Sequence, residues 1–193
     1  MSVNGNVKFS LFITNMEIKL RQESAADHDA IAKAIIAAYK NVEYSNHREH
    51  IMVERLRNSN AFIPELSIVA ELGNEEIAGH ILLTRIHIHK QDETFEALTL
   101  APLSIIPEYQ NKGIGKRLVL ESHRVAKDLG FEFIAVLGHA NYYPKFGYEI
   151  TSKYNIEIPF KISEANSMII SLTGNNFSEI TGGRIEYSDA FFE

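Results

Sequence analysis

The sequence of 193 residues predicts one α/β domain, a mixed, twisted sheet with helices on both faces. Three observations predict this fold class. Segments with strand-like alternation are interleaved with segments of helical spacing. A strand, a helix and a second strand follow one another over residues 98–137, which is a βαβ unit with parallel strands. A hairpin earlier in the chain adds antiparallel strands, so the predicted sheet is mixed.

The first predicted elements are a strand and a helix. Ile18 and Leu20 alternate with charged residues, which is typical of a half-buried strand. Ser24 and Asp27 then have the spacing of a capping box, with Asp in place of the usual Glu. Apolar residues at helical spacing follow, so we predict a helix over residues 24–39.

A second helix and a hairpin follow. The helix is predicted over residues 47–58, and its buried side is expected to consist of Ile51, Met52 and Leu56. Residues 66–70 and 76–89 read as strands, with Gly73 and Asn74 as the turn between them.

The first strand of the βαβ unit contains a proline, which interrupts hydrogen bonding between strands. Residues 96–106 predict a strand, but Pro102 cannot donate a hydrogen bond to a neighbouring strand, so it indicates an edge or a bulge. A bulge would splay this strand from its later neighbour and open a cleft in the sheet. The helix is predicted over residues 113–129, with Gly130 as its C′ residue, and the central strand over residues 131–137.

The remainder of the chain predicts three more strands, over residues 154–160, 167–172 and 183–187. The sequence contains no repeats, linkers or low-complexity tracts. We therefore expect one domain over residues 16–193, preceded by an extension over residues 1–15 that either adds an edge strand or is mobile.

Composition excludes several classes of protein. The net charge of −6 argues against a general nucleic-acid binder, because neutralising phosphates requires a basic face. No apolar run approaches the roughly 18 to 20 residues of a membrane span, and we expect no signal peptide. The chain has no cysteine, which excludes a disulfide, a thiolate metal site and a cysteinyl acyl-enzyme. This absence also fits a cytoplasmic location.

A glycine-rich turn before the helix of the βαβ unit predicts an anion site. Its order is Gln110-x-x-Gly113-x-Gly115. Glycine lets the backbone approach a ligand closely, and the first turn of a helix has unpaired N–H groups that suit a phosphate or pyrophosphate. The order is neither the dinucleotide fingerprint nor a Walker A loop. Three cations surround the turn, either as anion contacts or as a solvated helix start: Lys112, Lys116 and Arg117.

Two motifs together resemble the GCN5-related N-acetyltransferase (GNAT) superfamily. The turn is similar to its acyl-CoA signature, Gln/Arg-x-x-Gly-x-Gly/Ala. Residues 141–148, N-x-Y-x-x-F-G-Y, are similar to its later pattern, a short helix with Asn and Tyr closed by a Gly-aromatic pair. Residues 137–139 and the tail over 183–191 resemble a bacterial single-domain branch. The resemblance covers about residues 16–193 and implies the GNAT fold, with a splayed central pair of strands.

The resemblance implies acetyl-CoA as co-substrate and assigns residues to it. The backbone of Leu103 and Ile105 would bind pantetheine like an added β-strand, and the turn amides would bind the pyrophosphate. Tyr143 falls where the family places its general acid near the thioester sulfur. The implied co-substrate contacts are Leu103, Ser104, Ile105, Gln110, Asn111, Lys112, Gly113, Ile114, Gly115, Lys116, Asn141 and Tyr143.

Several of these residues have a structural alternative. Tyr143 could be a packed aromatic, because Tyr142 stands beside it and one of the two must face the core. Asn141 could cap a short helix as well as contact pantetheine. Ser104 is interpreted as a strand residue and not a nucleophile, because no Gly-x-Ser-x-Gly elbow surrounds it.

The general base is not identified by the sequence. Some family members have a Glu on the strand before the phosphate turn, but the matching position here holds Thr99. Glu96, His139 or a water chain remain as alternatives. His87-x-His89 places two imidazoles on one strand face, but we expect no metal there. His47 and His50 are expected at the surface of their helix.

The predicted function is acetyl transfer from acetyl-CoA to an amine by direct attack. The alternative is a non-catalytic acyl-CoA-binding or sensor module, and a nucleotide-phosphate-binding protein is disfavoured because no Mg²⁺ ligand pattern is present. A small polyamine, an aminoglycoside, an amino acid and a protein lysine all stay open as acceptors, and the oligomeric state stays open between monomer and homodimer. No nucleic-acid or membrane partner is expected.

Overall fold

The computed structural model describes residues 17–43, 45–174 and 176–192, so the extension predicted over residues 1–15 lies outside the described residues. The strands are β1 (Ile18–Gln22), β2 (Phe62–Leu72), β3 (Ile77–Lys90), β4 (Glu93–Ile105), β5 (Phe133–Leu137), β6 (Glu149–Ile150), β7 (Ser167–Ser171) and β8 (Arg184–Glu186). The helices are α1 (His28–Tyr39), α2 (Glu49–Arg57) and α3 (Ile114–Asp128).

All these strands form one mixed sheet, as predicted. Its order is β1-β2-β3-β4-β5-β7-β6, and β8 pairs with the later part of β3. The β4–β5 pair is parallel, and the other strand pairs are antiparallel. The predicted hairpin joins β2 to β3 through residues 73–76, where Leu72 N–H donates to the Glu76 carbonyl oxygen (2.9 Å).

Helices cover both faces of the sheet. Ile35 of α1 and Leu56 of α2 pack with Val69 and Leu82 on one face. On the other face, Leu118 of α3 packs in a cluster with buried residues of β2, β3 and β4. The predicted two-faced arrangement is confirmed, and residues 77–84 of β3 are buried between the two layers of helices.

Both predicted signals at helix ends are present. Before α1, Ser24 N–H donates to the Asp27 carboxylate (2.7 Å), which is half of the predicted capping box. After α3, Gly130 has φ +86°, and Phe131 N–H donates to the Ala126 carbonyl oxygen (3.0 Å). This is a Schellman ending with glycine at C′, as the sequence predicts.

The buried side predicted for α2 is partly wrong. The helix buries Val53 and Leu56, whereas Ile51 is 36% exposed. The buried pair has i, i+3 spacing and faces α1, so the neighbouring helix fixed the orientation.

The strand predicted over residues 154–160 is also wrong. A 3-10 helix occupies Thr151–Tyr154, and Asn155 has φ +52°, which ends extended backbone there. One isolated bridge, Glu157 to Arg184, follows. Aromatic packing orders the segment instead, with the Tyr154 ring stacked on Phe177 at 4.1 Å between centroids.

A buried ion pair between Arg57 of α2 and Glu23 holds the helix against the sheet. Arg57 donates two hydrogen bonds to the Glu23 carboxylate, each 2.8 Å long. His80 of β3 lies 3.4 Å from the same carboxylate and 2.9 Å from the Ser67 hydroxyl. Burial alone would raise the pKa of Glu23, but hydrogen bonds from His80, Arg57 and Ser67 outweigh it and lower that pKa to about 2.

Candidate active site

The sheet opens where β4 and β5 separate. The two strands pair only between residues 98–100 and 134–136, although β4 continues to Ile105. At this point residues 81–83 of β3 face residues 100–103 of β4, so β4 contains an extra residue next to Pro102. The predicted bulge and the predicted splay of the strands are both present.

The separated part of β4 has an open hydrogen-bonding edge. Along an antiparallel strand, successive residues direct their backbone N–H and C=O groups alternately toward one neighbouring strand and toward the opposite side. Ile106 N–H donates to the Ala78 carbonyl oxygen of β3 (3.0 Å), so Ile106 faces β3. Leu103 and Ile105 therefore direct their backbone groups away from β3, into the gap. The Gln110 side-chain amide donates to the Ile105 carbonyl oxygen (3.0 Å), which attaches the glycine turn to this strand. The backbone groups of Leu103 and the N–H of Ile105 are left for a ligand.

The glycine turn forms the start of α3. Gly113 is the N-cap residue with φ +83°, a conformation that favours glycine. The first helical hydrogen bond runs from Arg117 N–H to the Gly113 carbonyl oxygen (3.1 Å). The amides of residues 114–116 therefore have no partner within the helix, and they lie at its positive end. This is the geometry of an anion site.

The three cations near this turn have different roles. Only Lys116 lines the cleft. Lys112 places its ammonium 5.3 Å from the centre of the Tyr109 ring, and Arg117 donates to the Ile18 carbonyl oxygen of β1 (2.8 Å). Arg117 therefore has a structural role, because this hydrogen bond joins α3 to β1 at the edge of the sheet.

A cleft of about 990 Å³ begins at the turn and passes between the splayed strands. Its size matches a site for an extended ligand. The lining residues come from the end of α1, from β4 and the turn, and from the segments after β5: Ala37, Ala38, Tyr39, Asn41, Val42, Leu103, Ile105, Pro107, Tyr109, Gln110, Asn111, Gly113, Ile114, Gly115, Lys116, Leu137, Gly138, His139, Tyr142, Tyr143, Ile162 and Asn166.

Tyr143 lines the cleft, and a 3-10 helix over Tyr143–Phe146 positions it. Its ring packs against Gly138 so closely that a Cβ there would collide with it. The side chain is 6% exposed. Burial, together with the nearby phenols of Tyr39 and Tyr142, raises the pKa of Tyr143 well above its usual value. Tyr143 is therefore both a packed aromatic and a protonated cleft residue.

Tyr142 contacts both Tyr143 and the glycine turn. The two rings lie 5.2 Å apart in an edge-to-face arrangement. A Cβ on Gly115 would lie 2.9 Å from the Tyr142 hydroxyl, so the absence of a side chain at Gly115 makes room for this phenol. Burial raises the pKa of Tyr142.

Three residues implied as co-substrate contacts do not line the cleft. The side chain of Ser104 is fully buried, because alternation along β4 turns it to the face opposite Leu103. Asn141 is exposed and does not line the cleft that would hold pantetheine. It also does not cap the 3-10 helix, whose N-cap residue is Tyr142. Lys112 points to Tyr109, as described above.

Of the side chains considered as general base, only His139 lines the cleft. Glu96 lies on the other face of the strand from Thr99, with a 59% exposed side chain 3.2 Å from Arg85. The bulge at Pro102 lies beyond Glu96 and does not redirect it. Thr99 is buried and does not line the cleft.

The other histidines form no metal site. The His89 ring shares a hydrogen bond with the Thr94 hydroxyl (3.0 Å) and lies against the Glu186 carboxylate. Among the described residues, no group of three or more His, Cys, Asp or Glu residues could hold a metal ion. None of the described helices has the length and apolar character to cross a membrane.

Sequence reasoning missed one end of the cleft. The last residue of α1, Tyr39, and Val42 just after the helix line the cleft, as do Ile162 and Asn166 of the later segments. These positions follow no motif, and only the packing of α1 over the sheet brings them to the cleft.

The chain is similar to known proteins of one family. Residues 64–150, from β2 to β6, match the acetyltransferase (GNAT) domain family. YjhQ of Escherichia coli K12, an uncharacterized N-acetyltransferase, is 36% identical over 102 residues, which cover 53% of this chain and 56% of YjhQ. A GNAT family acetyltransferase from Brucella melitensis, solved in complex with acetyl-CoA, is 26% identical, with a TM-score of 0.72 over 91% of this chain and 98% of that one.

These similarities support membership of the GNAT superfamily. A second GNAT structure, YhbS of Escherichia coli in complex with CoA, shares the fold with a TM-score of 0.78 at 22% identity, over 92% of this chain and 93% of that one. GNAT enzymes use acetyl-CoA as co-substrate. The chain spans little more than half the length of YjhQ, so the similarity to that relative concerns the shared region alone.

Proposed function

We propose that this protein transfers the acetyl group of acetyl-CoA to an amine. The observation that carries the proposal is the splayed strand pair, which leads directly from an open strand edge to the anion-binding start of α3. Acetyl-CoA has the matching chemistry, an amide-containing pantetheine arm that ends in a pyrophosphate. The Brucella melitensis relative, solved with acetyl-CoA, supports the same ligand.

The open edge and the turn fit the two parts of this ligand. The backbone groups of Leu103 and Ile105 would pair with pantetheine amides as an additional strand. The amides of residues 114–116 and the ammonium of Lys116 would hold the pyrophosphate. Gly113 and Gly115 keep this surface free of side chains.

The reaction follows from the groups around Tyr143. A neutral amine attacks the thioester carbon, a C–N bond forms, and the C–S bond then breaks. Tyr143 donates its proton to the departing sulfur, and the proton lost by the amine passes to His139 or to water. The chain has no cysteine, so no cysteinyl intermediate can form, and the amine itself is the nucleophile. A cytoplasmic location is part of the proposal, supported by this absence of cysteine.

The test is turnover of acetyl-CoA, followed by release of free thiol across a panel of amines. We expect thiol release to depend on the amine, and initial-rate plots at varied acceptor to intersect, because both substrates must occupy the cleft together. Parallel plots, with an acetylated protein trapped in the absence of amine, would contradict direct attack. Tight acetyl-CoA binding without turnover on any amine would instead indicate a binding or sensor module.

A further inference from the structure

The lining of the cleft extends from the glycine turn past Tyr142 and Tyr143 to the end of α1. The Tyr142 hydroxyl lies against Gly115 of the phosphate turn, and the Tyr142 ring contacts Tyr143. On the other side, the phenol of Tyr39 is near enough to raise the pKa of Tyr143. The order along the cleft is therefore turn, Tyr142, Tyr143 and the end of α1. We name this end the acceptor chamber, lined by Ala38, Tyr39, Val42, His139, Ile162 and Asn166.

The part of the chain that the structure describes places no carboxylate in the lining of the acceptor chamber. The chain has 25 acidic residues, yet none of the described residues that line the cleft is Asp or Glu. The one lysine among them, Lys116, lies at the phosphate turn. The polar groups of the chamber are uncharged phenol and amide groups and one imidazole.

Half of the residues named as the lining of the chamber are apolar. Ala38, Val42 and Ile162 all face it, and Ile162 is 42% exposed although its side chain is large and apolar. An apolar ligand body would cover this surface. An ammonium group held against these apolar side chains would gain no partner of opposite charge.

These observations distinguish the classes of acceptor. A polyamine or an aminoglycoside carries further ammonium groups, and each one requires a carboxylate or continued contact with water. An amine on an apolar body needs neither. The same uncharged surroundings favour the neutral form of the amine, which is the form that attacks the thioester.

We propose that the acceptor is a primary monoamine carried on an apolar, uncharged body, and that polycationic amines are poor acceptors. This inference rests on the proposed acetyltransferase function. The transfer forms an amide on the single amine and releases CoA thiol, with the protons moving as described for Tyr143 and His139.

The experiment compares amines that differ by one ammonium group. Pentylamine is compared with cadaverine, and phenethylamine with its 4-aminomethyl derivative, by thiol release with the full chain. We expect kcat/KM for each monoamine to exceed that of its diamine at least tenfold, which corresponds to about 1.4 kcal/mol.

A pair of variants tests whether the chamber causes the preference. Ile162→Asp places a carboxylate in the chamber, and we expect it to raise the diamine-to-monoamine ratio of kcat/KM at least fivefold. Ile150→Asp is the matched control, because Ile150 is 41% exposed and lies outside the cleft. We expect it to leave the ratio unchanged. The KM for acetyl-CoA, measured for both variants, shows whether the phosphate end is intact.

The outcomes separate this inference from the proposed function. Diamines used as well as monoamines, or better, would overturn the inference and leave acetyl transfer standing. An unchanged ratio in Ile162→Asp, and also in Val42→Asp, would overturn the location of the chamber. If no amine of the panel increases thiol release although acetyl-CoA binds, the proposed function fails, and the inference fails with it.

Discussion

Tyr143 keeps its proton because its phenol is buried. The side chain is 6% exposed, and burial raises its pKa, so the hydroxyl is neutral at any pH at which the protein is assayed. A general acid must hold its proton until the leaving group needs it, and Tyr143 meets this condition. A raised pKa also makes transfer to a thiolate less favourable than from an ordinary phenol. The expected contribution therefore lies at the lower end of the usual range.

Tyr143→Phe removes only the hydroxyl and keeps the ring that packs against Gly138. We expect kcat to fall about 10²-fold, because a positioned acid typically contributes about 10² to 10⁴ in rate. Acetyl-CoA affinity, measured by calorimetry, should stay close to that of the wild type.

Tyr142→Phe is the matched control for this substitution. Its hydroxyl lies beside Gly115, so its loss should alter acetyl-CoA binding more than kcat. A kcat within about threefold of wild type for Tyr143→Phe, together with severe loss in Tyr142→Phe, would assign the acid role to Tyr142 instead.

At the scale of elements, helix α3 has a glycine with positive φ at each end. Gly113 at the start has φ +83° and Gly130 after the end has φ +86°, and at neither position would a Cβ meet another atom within 4 Å. A side chain at either residue strains the backbone to a similar extent. Only Gly113 lines the cleft, so the pair separates ligand binding from strain.

Gly113→Val and Gly130→Val are expected to lower thermal stability by similar amounts. We expect Gly113→Val also to weaken acetyl-CoA binding at least tenfold, about 1.4 kcal/mol, because the side chain blocks the backbone from the pyrophosphate. Calorimetry at a temperature where both variants are folded measures the difference. Equal affinities in the two variants would contradict the assignment of this turn to the pyrophosphate.

At the scale of the whole molecule, buried histidines make the fold sensitive to acid. Burial lowers the pKa of His123 to about 4, and its ring donates to or accepts from the Tyr148 hydroxyl (3.0 Å). Burial also lowers the pKa of His80. Both groups bind a proton more readily in the unfolded chain, so stability is complete above about pH 6.5 and falls as the pH decreases toward 4. Glu23, with a pKa of about 2, adds acid sensitivity only below about pH 4.5.

Lowering the pH from 7 to 5 should therefore reduce the free energy of unfolding. His123 alone accounts for on the order of 2 kcal/mol at pH 5, which is about 4 to 8 °C in Tm for a chain of this size. His123→Gln removes this titration and keeps a hydrogen-bonding side chain, so its Tm should change less between the two pH values. An equal change in both proteins, measured by calorimetry, would show that His123 is not a source of the acid sensitivity.

The sequence by itself determined the features that depend on local chemistry. The glycine turn, the capping box before α1 and the Schellman ending of α3 were all predicted, because backbone conformation and unpaired N–H groups are set by a few neighbouring residues. The bulge at Pro102 was predicted for the same reason, since proline cannot donate to a ladder wherever it lies. The two motifs together indicated the superfamily that the similar proteins support.

Only the tertiary structure decided which residues share the cleft. Ile51 was expected to be buried and residues 154–160 to form a strand, but packing against α1 and aromatic stacking on Phe177 produced different arrangements. Asn141 fits the motif and lies outside the cleft lining, whereas Val42 and Ile162 have no motif and lie in it. The physical reason is that a cleft wall is assembled from residues far apart in the chain, and their positions depend on how helices and loops pack over the sheet. Local sequence fixes the conformation of the glycine turn, and packing decides which residues line the rest of the cleft.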